Sequence, residues 1–384
     1  MTIGKRVICL LLFLAVIQVS CDSGKENPPP RHPDALAVEF LAPGQTAGPY
    51  TALVPAGSVS LTIMADGGNA SDMDILKVVG PGGENFIDGG NTDLIGRNFA
   101  NYPGQSAVEL TIPHGGDYDF PSGEWTFWIR HTRSREPEAK EVGIYAEVKA
   151  APGARVGFNL FIITAGNATA QTQPALEALM ARFGAALGLM NLTLGETEVI
   201  YLTSDEARKH VHVNMDFDFD NNGQPDDMDA LFAMSAGYAK NRINIFFVES
   251  FGFQGILGIA GGIPGPQLLQ GTANSGVAIN TFGGLAGLQG KDMGAMASTM
   301  AHEVGHYLGL QHTTERYGDT FDPLSDTPQC DVNVRDRNKD GIVSAEECAA
   351  LDGPNLMFWS AADFPQEDVS GAQRYVVSLN PVVK

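Results

Sequence analysis

The sequence predicts an α+β protein in two parts: a mixed twisted sheet that carries one long helix of chemically active residues, preceded by an all-β sandwich. Three observations carry this expectation. Residues 35–150 break into short alternating runs separated by Gly, Pro and Asp clusters, the pattern of a sandwich. Beyond residue 154 a strand, an amphipathic helix and a second strand follow in order, which implies a parallel pair. From Met293 onward, Met296, Met300, Val304 and Leu308 repeat at helical spacing. With 384 residues, 43% of them hydrophobic, the chain is long enough for two ordinary cores.

The N-terminus carries an address. Lys5 and Arg6 precede an apolar run from Val7 to Val19, too short for a spanning helix and suited to a secretory leader. Ser20-Cys21 then ends the run as a bacterial lipoprotein signal ends. Residues 1–20 are therefore expected to be a signal peptide, Cys21 the lipidated first residue, and 21–34 a polar, proline-rich tether from a cell-envelope membrane. Gln18 stands where such signals prefer leucine, so ordinary cleavage and free secretion is the alternative. Loss of Lys5 and Arg6 with the leader moves the formal charge from −21 to −23. So acidic a chain is no partner for nucleic acid.

Within 35–150 the expected strands are Ser58 to Met64, Asp74 to Val79, Ala107 to Ile112, Glu124 to Ile129 and Val142 to Val148. The block holds no assembled nucleophile, metal cluster or phosphate loop. Trp125 and Trp128 read as sandwich core and rim. Downstream, Val156 to Thr164 reads as a buried strand, Pro174 to Leu189 as a helix, and Glu198 to Thr203, Val211 to Met215, Arg242 to Glu249 and Val277 to Asn280 as further strands. Gly255 to Gly290 reads as loops around a cleft. His210 and His212 alternate along a strand and should share one face, packed or solvated.

Residues 302–312 read His-Glu-Val-Gly-His-Tyr-Leu-Gly-Leu-Gln-His. On a helix, His302 and His306 stand four residues apart and project from one face, so their imidazoles can meet at one metal ion. Gly309 lets the helix end in a left-handed turn, and the reversal brings His312 in as third ligand. Three protein ligands leave a fourth position for water, whose pKa a zinc ion lowers to about 7. Glu303 is placed to take the proton from that water. Asp292 is expected to cap the helix, and Ala295, Ser298 and Thr299 keep its histidine side open to a substrate. The five-residue His-Glu-x-x-His pattern alone can arise on any polar helix. With a third ligand and a turn glycine in register, it predicts a site for one zinc ion and a hydrolytic reaction.

After Cys9 and Cys21 only Cys330 and Cys348 remain, and a single pair in an exported chain is expected to form a disulfide. No cysteine lies between residues 22 and 329, so no thiol there can cap a zinc ion as a latency switch. Between the two cysteines, Asp336 to Glu347 fills every position of an EF-hand loop. Asp336, Asn338 and Asp340 offer side-chain oxygens, Gly341 the sharp turn, Ile342 its carbonyl, Ser344 a contact through water, and Glu347 both carboxylate oxygens. The preceding Cys330 to Val334 reads as extended, which makes this an isolated calcium loop. A second candidate loop comprises Asp218, Asp220, Asn222, Gln224 through its carbonyl, Asp226 and Asp229, with Gly223 at the turn and Asp216 as a competing start. Its final aspartate is a shorter ligand than glutamate. One or two structural calcium ions are expected.

The 302–312 pattern resembles that of the metzincin clan of zinc peptidases and, within it, the pappalysin family. Asn355-Leu356-Met357, whose Met357 lies 45 residues after His312, is similar to the pappalysin methionine turn, and Asp326-Thr327-Pro328 is similar to a tripeptide of that family. The resemblance implies a metzincin-like domain over 154–384, with His302, His306 and His312 as zinc ligands, Glu303 as general base and Met357 as hydrophobic floor. Protein or peptide substrates follow, cut internally while paired to an edge strand, for which Val277 to Asn280 is the expected segment. One departure is Trp359, where many metzincins have a tyrosine two residues after the methionine; oxyanion stabilisation then falls to zinc. Residues 35–150 resemble the jelly-roll modules that accompany secreted peptidases. Two function classes follow: a surface-attached zinc endopeptidase, or a silent, calcium-stabilised surface binding or adhesion lipoprotein. The intact Glu303 favours the first, and Trp359 leans toward the second.

Overall fold

The structure is a computed structural model that describes residues 17–21, 35–68, 71–88, 106–115, 120–134, 138–163, 169–213, 227–252, 255–285 and 291–384. Strand β1 (Ile17–Cys21) lies at one border of the C-terminal sheet, so the end of the expected leader is in sheet register in the uncleaved chain. The next eight strands are β2 (Ala37–Leu41), β3 (Thr46–Val54), β4 (Ser60–Asp66), β5 (Ser71–Val79), β6 (Asn85–Asp88), β7 (Ala107–Ile112), β8 (Gly123–Ser134) and β9 (Lys140–Lys149). They form two four-stranded antiparallel sheets, ordered β2-β9-β4-β7 and β3-β8-β5-β6. Alternation explains their shared core. Leu61 and Ile63 of β4, Val108 and Leu110 of β7 and Ile144 of β9 meet Ile75, Trp125 and Phe127 in one buried cluster, as period-two side chains must.

The β4–β7 part of the first of these sheets is buried on its other face too. Ser60, Thr62, Glu109 and Thr111 are all under 9% exposed, because that face lies against the C-terminal part. There the Ser60 hydroxyl donates to the Leu379 carbonyl at 2.8 Å, and Met64 and Tyr145 pack with Leu269. The Lys149 ammonium donates to the carbonyls of Ser378, Asn380 and Val383 at 2.6–2.7 Å. Strands β2, β3 and β6 go beyond the sequence expectation; β3 contains Gly48-Pro49, which reads as a turn.

The C-terminal part comprises β10 (Arg155–Ile163), α1 (Thr169–Leu189), β11 (Thr193–Leu202), α2 (Asp205–Arg208), β12 (His212–Val213), α3 (Asp227–Ala233), β13 (Arg242–Val248), β14 (Ser250–Phe251), β15 (Gly258–Ala260), β16 (Val277–Asn280), α4 (Lys291–Tyr307), α5 (Val332–Arg335) and α6 (Gly371–Leu379). Its sheet runs β1-β11-β10-β13-β16-β15, parallel throughout except for the β15–β16 pair. Phe158, Leu160 and Ile162 of β10 join Leu179 and Phe183 of α1 and Met296, Met300 and Val304 of α4 in one core. Phe161 and Ile163 point the other way, to Leu231 and Phe232 of α3. A strand covered on both faces reads as a continuous apolar run, as this one does.

Four expectations are corrected. Helix α1 begins at Thr169 and has Pro174 inside it. The segment Val277–Asn280 is not an edge: β16 is paired on both sides, and among the described residues β15 is the outer strand. A Gly-Ile-Ala strand takes its conformation from its partner, so composition alone reads it as loop. His210 and His212 do not share a face either. His210 is buried, with neither ring nitrogen hydrogen-bonded and Asp227 Oδ1 at 4.0 Å, whereas His212 is exposed and its Nδ1 meets Ser250 Oγ at 2.8 Å. Finally, Asp292 lies in the first turn of α4, where its charge meets the positive end of the helix dipole.

Candidate active site

The buried stripe of Met293, Met296, Met300 and Val304 fixes α4 against the sheet, so the helix holds His302 and His306 on the side turned from it and Glu303 on the flank beside β15. Gly309 has φ +110°. Its N–H donates to the His306 carbonyl at 2.8 Å and the Leu310 N–H to the Gly305 carbonyl at 2.9 Å, the paired bonds of a Schellman motif. The reversal returns the Leu310 carbonyl to His306, whose Nδ1 lies 2.7 Å from it.

The other two imidazoles are held in the same way. His302 Nδ1 is 2.7 Å from the Leu356 carbonyl, and His312 Nδ1 is 3.1 Å from Glu315 Oε2. An Nδ1 facing an acceptor carries the ring proton, which leaves each Nε2 with a bare lone pair. These lone pairs converge: His312 Nε2 lies 3.1 Å from His306 Nε2 and 3.3 Å from His302 Nε2. At that spacing they repel unless a cation sits among them. Ligand nitrogens roughly 2.1 Å from a tetrahedral zinc would stand about 3.4 Å apart. The residues therefore fit zinc. Burial, with His312 nearby, pushes the His302 imidazole down to about 3. Burial and both neighbouring rings hold His306 well below its usual range. Neutral imidazole is the form a metal needs.

Glu303 is 8% exposed, and burial pushes its carboxyl up to about 8 against a hydrogen bond from the Ala260 backbone. Strand β15 forms the wall beside it. A Cβ on Gly258 would stand 2.6 Å from Glu303 Cγ, so only glycine lets the edge strand approach this closely. Gly258 and Ala260 escaped the sequence reading. A glycine inside a short run can signal close backbone approach, but nothing local says what approaches.

Met357 is fully buried beneath the helix, and a Cβ on Gly305 would meet its Sδ at 2.7 Å. The turn that carries it is tied to two of the histidine segments. Its Leu356 carbonyl holds His302, and its Met357 carbonyl accepts the Thr313 N–H at 3.0 Å. Asn355 closes the turn by accepting the Met357 N–H at 2.8 Å and pairs with Gln373 of α6. Asp326 accepts the Ala372 N–H in the first turn of α6 at 2.9 Å. Trp359 donates its indole N–H to the Val343 carbonyl at 2.7 Å, within the cluster that packs around Cys330 and Cys348.

Those two cysteines form the expected disulfide. In the loop they bracket, Asp336 accepts the Lys339 and Gly341 N–H groups at 2.6 and 2.9 Å. Asn338 and Asp340 accept the Asp340 and Ile342 N–H groups, each at 2.9 Å. Glu347 accepts those of Arg337 and Ser344 at 2.8 and 3.1 Å, and Gly341 has φ +80°. The carboxylates of Asp336, Asp340 and Glu347 are engaged by these backbone N–H groups. Among the described residues, convergent ligand sets occur at His302, His306 and His312, and at Cys330, Cys348 and Asp352, whose sulfurs are in the disulfide. The segment before the loop is not extended: Asp331 caps α5 by accepting the Asn333 N–H at 2.8 Å. Of the second candidate loop, Asp218, Asp220, Asn222, Gln224 and Asp226 lie outside the described residues, and Asp229 is in the first turn of α3.

Residues 235–369, which span the edge strand, the histidines and the methionine turn, match the M43 peptidase family, described as pregnancy-associated plasma protein-A. Among solved structures, mirolysin in complex with compound 9 is 16% identical, over 61% of this chain and 99% of its own, with a TM-score of 0.32. Metalloproteinase-II from Bacteroides fragilis is 10% identical, over 60% of this chain and 54% of its own, with a TM-score of 0.32. No curated protein matches the chain.

Proposed function

We infer that this chain is a zinc metallopeptidase of the pappalysin family and, more specifically, an endopeptidase in which Glu303 is the general base. One observation carries the reading: three bare Nε2 lone pairs meet at one point, each ring oriented through its Nδ1, with a buried carboxyl beside them. His302, His306 and His312 would hold the zinc. When bound, it supplies a Lewis acid for the scissile carbonyl and lowers the pKa of the attacking water to about 7. Glu303 accepts the proton of that water and passes it to the leaving amine, the task of a carboxylate positioned beside the metal ligands. Strand β15, outermost in its sheet among the described residues, presents its edge to an extended peptide, which pairs with it as an added strand. Metal analysis followed by digestion of an unfolded protein mixture tests this. One zinc per chain and internal cleavage that a chelator abolishes are expected. A zinc-loaded chain that cuts nothing would leave the silent surface-binding protein, the reading that Trp359 favours.

We propose further that Asp336, Asn338, Asp340, Ile342, Ser344 and Glu347 hold one structural calcium ion, for which the complete ligand pattern and the turn at Gly341 speak. The export signal ending at Cys21 supports a lipid-anchored envelope protein, with free secretion as the alternative. The composition blocks support a leader over 1–20, a tether over 21–34, a jelly-roll-like accessory domain over 35–150 and a peptidase domain over 154–384.

A further inference from the structure

Strand β7 of the N-terminal sheets reaches the candidate active site at two points. Its alternation sends Val108, Leu110 and Ile112 into their own core and turns Ala107, Glu109 and Thr111 toward the C-terminal part. Glu109 is 1% exposed. Its Oε2 accepts the Gln267 N–H at 2.6 Å, and its Oε1 accepts the Thr111 hydroxyl at 3.2 Å and the Asn380 amide at 3.4 Å. From Gln267 the chain of bonds continues into the zinc helix. Gln267 Nε2 donates to the Tyr307 carbonyl at 2.7 Å, the Gly265 N–H donates to the same oxygen at 3.1 Å, and the Tyr307 hydroxyl donates to the Pro266 carbonyl at 3.1 Å. The fit is tight, because a Cβ on Gly265 would stand 2.0 Å from the Tyr307 ring. Tyr307 is the last residue of α4 and the neighbour of His306, and its carbonyl is among those a helix end leaves without an internal partner.

The second arm runs to the opposite wall. The Ala107 N–H donates to Asn274 Oδ1 at 3.0 Å, and Asn274 Nδ2 donates to the Gly261 carbonyl at 2.8 Å. Gly261 directly follows β15, whose Ala260 backbone hydrogen-bonds Glu303. Thus the helix bearing the histidines and the edge strand beside the base are tied to two positions of one strand, separated by about 7 Å. A carboxylate buried among neutral donors is costly, and a leucine would serve packing alone better. What Glu109 provides is direction.

We propose that β7 is a brace that sets the width of the cleft, with Glu109 and Asn274 as positioning residues for the zinc helix and the edge strand; this rests on the peptidase reading above. In the full-length, zinc-loaded chain, Glu109→Ala, Glu109→Gln and Asn274→Ala are compared for kcat and KM on short and cleft-spanning peptides, for zinc content, and for amide hydrogen exchange over 257–267. Glu109→Ala should remain folded with one zinc, lose at least about tenfold in kcat/KM and exchange the Gln267 amide faster. Glu109→Gln should recover most of that loss, since its amide oxygen still accepts from Gln267. Asn274→Ala should raise KM for long peptides more than for short ones, while Gln267 stays protected. Parental kinetics and exchange in both alanine variants would overturn the brace. So would a loss that only tracks lost zinc or unfolding, or a glutamine variant no better than alanine. If the parent cleaves no peptide the peptidase reading fails, and the exchange measurement still decides whether β7 holds both walls.

Discussion

Gly258→Ala tests the seat of Glu303 with a single methyl group. The added carbon would stand 2.6 Å from Glu303 Cγ and 3.1 Å from both Cδ and Oε1, whereas nonbonded carbons settle at about 3.5–4.0 Å. Relief therefore requires a shift of about 1 Å. The nearest atom is Cγ, in the middle of the side chain, so the carboxylate cannot simply swing its tip aside. The helix behind it is held by the buried Met296, Met300 and Val304. A reacting group misplaced by about 1 Å costs about a hundredfold in rate, or about 2.7 kcal/mol in barrier height. No histidine tether is touched. The variant should keep one zinc per chain and a near-parental melting curve while kcat/KM on a fluorogenic peptide falls about a hundredfold. Parental kinetics would refute the proposed seat for the base. Zinc lost in step with activity would show that β15 supports the ligands instead.

The remaining predictions concern metal, chemistry, charge and location. Glu303→Gln should retain one zinc and lose at least about a hundredfold in peptide hydrolysis, whereas His306→Ala should lose zinc as well; a glutamine variant as fast as the parent removes Glu303 from the mechanism. Asp340→Ala should lower the melting temperature in millimolar calcium and abolish the calcium dependence of that loop, because binding to the folded state alone stabilises it; identical melts with and without calcium in both proteins would exclude the site. Burial holds the Glu109 carboxyl well above its ordinary 4.5. The stability of its protonated form is therefore full below that value and lost as pH rises through the folded pKa. The melting temperature of Glu109→Gln minus that of the parent should accordingly grow as pH rises from about 4.5, and a pH-independent difference would contradict this. Mass spectrometry of the native N-terminus should find lipid on Cys21, and an unmodified start at another residue would exclude the anchor.

The features legible in the sequence are those whose cause is local. Helical period places His302 and His306 together, and Gly309 needs only its own φ of +110° to bring the chain round to His312. The strands of the C-terminal sheet announce themselves because burial on both faces leaves Phe158 to Ile163 almost wholly apolar. Strand β15 was hidden because in Gly258-Ile259-Ala260 only Ile259 favours extension; its pairing with β16 creates it. For the same reason Val277–Asn280 could be found as a strand but not placed in the sheet, since sheet order is not sequence order. Gly258 and Gly305 are glycines for the sake of Glu303 and Met357, side chains far along the chain. Glu109 reads as one more polar residue in an alternating run until the face it occupies turns out to be an interface.

The charges around the three histidines link metal and base. On the proposed reading, a dication held by the three imidazoles would bring two positive charges into a partly buried site. Glu303 lies beside the ligands, and Glu315 Oε2 is 3.1 Å from His312 Nδ1; ionised, these two carboxylates balance the ion. Burial alone pushes Glu303 up to about 8, so without a cation it would carry a proton at neutral pH and could not accept one. A nearby dication favours the charged carboxylate and lowers that value. On the proposed reading, Glu303 becomes a competent base only when the ion is bound beside it. The three ring tethers support this differently. His302 and His306 lean on carbonyls of the methionine turn and the Schellman turn, which orient them without adding charge. His312 leans on a carboxylate, which orients it and places a negative charge behind it. As proposed ligands, the helix supplies His302 and His306 on one rigid element, and the turn after it supplies His312 with its own counter-charge.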